Sequence, residues 1–243
     1  MQPGTVLQPQ NVTQSKDVLK NDLVAPLWHT WLVIAFLVLP LSRMPGFSSL
    51  GALLKNADRV MVYIVQIEVQ WLVILFVCLG LFLKRTSILS LVGRLWKTSE
   101  DVISDAKLAF GYFFISMFMV LISVLFGPAY KDHHYSLPGT GQELMVFLVI
   151  ALGAGIGEEF MCRGYLQTQI HRFTGSLALA VIIQAFIFAL AHGYNQTISG
   201  LVEKFAFGVL MSVLAQKSGS LLPGMMLHVF QDCLAGIVAK LLS

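Results

Sequence analysis

Charge is scarce in this sequence. Only 12% of its 243 residues are Asp, Glu, Lys or Arg, against 56% hydrophobic. A soluble domain carries about 25% charged residues, so half that share excludes an ordinary water-soluble globule. Cysteine is scarce too: Cys78, Cys162 and Cys233 are odd in number and contain no CxxC pair. They read as small core residues and define no redox compartment. HExxH is absent. So is any repeat period, and so is a low-complexity tract. Gly153-Ala154-Gly155-Ile156-Gly157 lacks GxGxxG spacing and follows an apolar run, so it reads as close helix packing by small residues rather than a nucleotide loop. Residues 1–22 are polar and lack the basic start and apolar core of a cleavable signal. They are expected to form a loose tail, and the first apolar run is expected to be retained.

What is present is a series of apolar runs. A membrane-spanning helix needs about 17–25 apolar residues, and seven candidates approach that length: Leu23–Leu41, Val60–Leu83, Leu108–Phe126, Leu144 through Gly157, Leu177–His192, about Ile198–Leu214, and Leu221–Leu242. An eighth arises if one run divides. The expected fold is an all-α, polytopic membrane bundle of seven to eight helices in one domain, residues 23–243. The first run is weakened by Pro26, His29 and Pro40, and the second carries Glu68 without an evident partner. Residues Ser87–Trp96 read as an amphipathic helix on the membrane surface.

The net charge of +3 fits basic loops that set topology. Lys84, Arg85, Arg94, Lys97 and Lys107 fall on the same side as Arg163, Arg172 and Lys217, which places that side in the cytoplasm. Arg43, Lys55 and Arg59 argue the other way. Asn11-Val12-Thr13 and Asn195-Gln196-Thr197 match a glycosylation signal that matters only in a secretory lumen. His29 and His171 read as interfacial, and His133-His134 as solvated loop residues.

Three short charged motifs interrupt the apolar runs: Glu158-Glu159-x-x-x-Arg163, Phe188-x-x-x-His192 and His228-x-x-x-Asp232. An ionisable residue at membrane depth is costly and marks a functional candidate. On a helix, positions four apart share a face, so Glu159 and Arg163 can pair while Glu158 turns elsewhere. A carboxylate taken out of water holds a proton more readily, which suits a general base. The plainer reading is a solvated helix end. Phe188 lies one turn from His192 and can restrict its ring, or His192 simply ends a helix before Gly193. His228 and Asp232 share a face, so the carboxylate can fix the ring's tautomer, or the two can join helices as a polar pair.

In this order the three motifs resemble the CAAX prenyl endopeptidase and bacteriocin-processing family of intramembrane proteases, abbreviated CPBP and also called Abi. The resemblance covers about residues 140–240. It implies a metal-independent endopeptidase with no cofactor, acting on a membrane-associated peptide that is either of the prenylated CAAX type or unprenylated. Glu158 would activate water and His192 would position it. Glu159 and Arg163 would form a supporting ion pair, with Phe188 beneath His192. His228 would stabilise the oxyanion together with Asp232, which stands where asparagine is the alternative. An ionised aspartate cannot donate to an oxyanion, so Asp232 is expected to hold His228 or to be protonated. The implied partners are a peptide substrate and the lipid bilayer, with no nucleic acid, in a bacterial cell membrane. Two other readings stay open at this point: the same residues holding zinc, or a non-catalytic scaffold or immunity protein.

Overall fold

Four helices begin where a side chain captures an unpaired backbone N–H. Asp58 accepts from Met61 N–H ahead of Arg59–Leu83. Thr140 and Glu143 form a reciprocal capping box ahead of Gly141. Ser176 accepts from Leu179 N–H, and Thr197 from Gly200 N–H. The computed structural model describes residues 23–39, 58–126, 137–192 and 197–243. The polar tail, Arg43, Lys55, the His133-His134 loop, Gly193 and the asparagines of both Asn-x-Thr sequences lie outside those residues.

The described helices are α1 (Leu27–Val38), α2 (Arg59–Leu83), α3 (Ile88–Val92), α4 (Ser99–Phe126), α5 (Gly141–Thr174), α6 (Leu177–Ala191), α7 (Ile198–Ser218) and α8 (Leu222–Leu242). Helices α2, α4, α5, α7 and α8 are long and apolar enough to cross a membrane, and α1 and α6 are shorter apolar helices. No strand occurs among the described residues beyond one isolated bridge, Gly93 to Ser220. The chain is therefore a multi-pass, all-α membrane bundle, as the apolar runs predict.

Helix α5 is its axis. It runs as α-helix from Gly141 to Glu159, as π-helix from Phe160 to Leu166, and as α-helix again to Thr174. Every residue of the π segment is buried. Periodicity arguments based on 3.6 residues per turn miss this widening, which recurs at functional sites in other proteins. Helix α8 packs along the first half of α5 and α2 lies beside it. The small residues of α5 allow this: a Cβ on Gly155 would stand 2.6 Å from the backbone nitrogen of Val229 on α8, and one on Gly153 would stand 2.8 Å from Gln70 Oε1 on α2.

Two local expectations need correction. Ser87–Trp96 is helical only over Ile88–Val92, because Gly93 leaves the helix at φ 82°. Beyond it the backbone pairs with the α7–α8 turn. Leu221 N–H donates to Val92 O at 2.9 Å, Arg94 N–H donates to Gly219 O at 2.8 Å, and Ser220 Oγ donates to Arg94 O at 2.7 Å. The short helix keeps Ile88 and Leu89 exposed over a buried Leu91, and the backbone beyond it braces the start of α8. His29 is not interfacial but fully buried. Its Nε2 donates to Phe76 O at 2.7 Å, which leaves Nδ1 to accept from Tyr165 Oη at 2.9 Å. Thr30 and Gln169 continue that polar chain and tie α1 to α5. His171 and Glu68 are exposed.

Adding a Cβ at Gly155 must push Val229 away, and overpacking of this kind costs about 1–3 kcal/mol. Gly155→Ala is therefore expected to lower the melting temperature in detergent by several degrees, read by scanning fluorimetry. Gly111→Ala on α4, where a Cβ would meet nothing within 4 Å, is expected to leave it unchanged or higher.

Candidate active site

Four helices bring the three motifs together. Helix α5 carries Glu158, Glu159 and Arg163, α6 ends at His192, α7 supplies Phe207, and α8 carries His228 and Asp232. The strut at Val92–Arg94 fixes the start of α8, and Pro223 in its first turn suits a segment whose first N–H groups need no helical partner.

The floor of the site is an ion-paired layer sealed from solvent. Arg163 Nη1 donates to Glu159 Oε1 at 2.9 Å, with both side chains at most 1% exposed. The same oxygen accepts from His228 Nδ1 at 2.9 Å. Arg163 Nη2 donates to the Gly208 carbonyl at 3.3 Å, and its guanidinium carbon lies 4.6 Å from the Phe188 ring centre. Gly208 O also accepts from Gln184 Nε2 at 3.2 Å and from Ser212 Oγ at 2.9 Å. Gln184, Phe207, Gly208 and Ser212 escaped the sequence reading. Gln184 had a visible signal, being the lone polar side chain within Leu177–Ala191. The others become legible only when α7 is placed.

Above this floor the rim is partly open: side-chain exposure is 24% for Glu158, 18% for His192 and 34% for Asp232. Glu158 Oε2 lies 3.9 Å from His192 Nε2 and 3.9 Å from His228 Nε2. It has no hydrogen-bond partner among the described residues. His192 Nδ1 lies 2.8 Å from Phe188 O. A carbonyl only accepts, so Nδ1 carries the proton and neutral His192 turns a lone pair on Nε2 toward Glu158. Its ring leans on Phe188 at 4.4 Å between centres, and the Phe207 ring stands edge-on to His228 at 5.1 Å.

The partner that fixes the His228 tautomer is thus Glu159, where Asp232 had been expected. Asp232 Oδ2 faces Nε2, the other ring nitrogen, at 3.7 Å. The sequence could not reveal this because Glu159 and His228 are 69 residues apart. All seven motif residues meet at one place. Among the described residues no group of three or more His, Cys, Asp or Glu side chains is arranged to hold a metal ion.

Residues 140–234 match the family described as "Type II CAAX prenyl endopeptidase Rce1-like". The resemblance read from the three motifs is borne out over that stretch. The chain is also 30% identical over 87 residues to an "Uncharacterized 24.3 kDa protein" of Escherichia coli, which covers 35% of this chain and 40% of that protein. The matched stretch is thus less than half of either. No solved structure matches the chain.

Removing one member of a buried ion pair strands the other, at a cost of about 3–5 kcal/mol. Arg163→Met is therefore expected to be among the most destabilising single changes in the chain, and Glu159→Met/Arg163→Met to cost less than Arg163→Met alone. Thermal unfolding of the three purified proteins checks the order.

Proposed function

We propose that this protein is an intramembrane endopeptidase that hydrolyses a peptide bond of a membrane-associated substrate, of the CAAX type, with water activated by Glu158. The observation that carries the reading is the position of Glu158 Oε2, 3.9 Å from the Nε2 atoms of two histidines on different helices. That spacing is too long for a direct hydrogen bond, yet small enough for a water to bridge either gap.

The steps follow from the tautomers. A water between Glu158 and His192 donates one hydrogen to each, because neutral His192 offers only a lone pair there. Glu158 takes the proton as the oxygen attacks the peptide carbonyl. His228 commits its Nδ1–H to Glu159, so a second proton on Nε2 makes it an imidazolium, with Asp232 alongside to balance the charge. That N–H is aimed at the point where the oxyanion forms. Collapse of the tetrahedral intermediate breaks the C–N bond, and Glu158 returns its proton to the departing amine. No acyl-enzyme is involved. The sealed Arg163–Glu159 pair keeps His228 pointed while the rim stays accessible to substrate. We place the protein in a bacterial cell membrane.

The test is cleavage of prenylated and plain peptides by purified protein in detergent. Wild type is expected to cleave in the presence of a chelator. Glu158→Gln is expected to lower the rate by about 10²–10⁴-fold, the usual contribution of a general base. His228→Ala is expected to lose about 10²–10³-fold, the usual worth of one oxyanion donor. Wild-type rates in Glu158→Gln would overturn the assignment, and loss of activity with chelator would replace it with metal-assisted hydrolysis.

A further inference from the structure

The exposed side of α7 carries a feature the proposed chemistry does not use. Val202, Ala206, Val209 and Val213 lie on the face opposite Phe207 and Met211, and with Ile115 and Met119 of α4 they line a groove of about 630 Å³. Its lining is apolar except at one end. There Lys217, in the last turn of α7, stands over the Tyr112 ring with its ammonium 5.9 Å from the ring centre. No carboxylate of the described residues pairs with that ammonium.

We propose that this groove binds one anionic membrane lipid, with its headgroup phosphate on Lys217 and an acyl chain laid along α7. The polarity of the groove is that of an amphiphile in negative: one cation at one end and hydrocarbon contacts along the rest. Lys217 lies at the end of the bundle that also carries Lys84, Arg94, Lys97 and Arg172, the level at which headgroups meet basic side chains. From Lys217 to Val202 is about 22 Å at 1.5 Å per residue, which reaches past the middle of a hydrocarbon core about 30 Å thick. The groove, with one cation above a run of apolar contacts, is the charge complement of one headgroup and its acyl chain. Its volume is within the range of about 300–1,000 Å³ common for small-molecule sites.

The test is native mass spectrometry of the whole purified chain in detergent, with phosphatidylglycerol or phosphatidylcholine added at matched concentration. Wild type and Lys84→Glu, an exposed base at the same end, are expected to retain one phosphatidylglycerol. Lys217→Glu is expected to bind it at least tenfold more weakly, and Val209→Trp, which fills the groove, to lose it by a route that leaves the charge in place. Soluble glycerol phosphate, which has the headgroup without the chains, is expected not to displace the lipid. Equal retention of the two lipids by wild type would overturn the proposal. So would unchanged retention in both Lys217→Glu and Val209→Trp, displacement by glycerol phosphate, or a protein dimer that those two substitutions abolish.

Discussion

Burying a guanidinium that cannot shed its proton is the constraint around which this bundle is arranged. Arg163 sits in the middle of a membrane protein with no exposed side-chain surface, and such a charge persists only when paired and hydrogen-bonded. Each neighbouring element answers part of that demand. Glu159 on the same helix supplies the counter-charge, Gly208 on α7 a carbonyl, and Phe188 on α6 an aromatic face. The π segment of α5 holds the arginine, and α7 comes close because Gly208 has no side chain: a Cβ there would stand 2.9 Å from Ala185 Cα. His228 is drawn into the same layer from α8 through Glu159. Three helices are thus oriented about one charge before any reacting group is considered.

This arrangement separates a sealed carboxylate from a partly exposed one. Glu159 spends its oxygen on Arg163 and His228 and is shut away from solvent. Its sequence neighbour Glu158 keeps a partly exposed side chain at the rim, with a buried Oε2 that has no hydrogen-bond partner among the described residues. Adjacent positions on a helix face about 100° apart, so two consecutive glutamates are a compact way to place one carboxylate in the floor and one at the rim. The histidines divide in the same way. Each gives Nδ1–H to a fixed acceptor, Phe188 O or Glu159, and each leaves Nε2 facing Glu158.

The sequence made the bundle legible because lipid imposes a simple rule: long apolar segments must be helices. Charges inside such segments are few, so the three motifs stood out, and the Glu159–Arg163 pair followed from i,i+4 spacing. What stayed hidden depended on two kinds of non-local information. His29 looked like an edge residue because its partners, Tyr165 and the Phe76 carbonyl, are 136 and 47 residues away. The partner of His228 was misassigned because spacing along one helix favoured Asp232, while packing between helices favoured Glu159. The π segment was invisible for another reason: it preserves the side-chain chemistry and changes only the backbone repeat. Ser87–Trp96 kept its amphipathic pattern but lost most of its helix to a glycine with positive φ and to backbone pairing of Arg94 with the distant Gly219.

Helices α1 and α6 are 12 and 15 residues long, or about 18 and 22 Å, and they pack against each other. A hydrocarbon core about 30 Å thick cannot be matched by either. Hydrophobic mismatch is relieved by thinning the surrounding bilayer, and here the deficit lies on one flank rather than around the whole perimeter. The end of α6 is also where His192 stands. A bilayer matched to the long helices therefore meets a shorter apolar pair on the flank that carries His192.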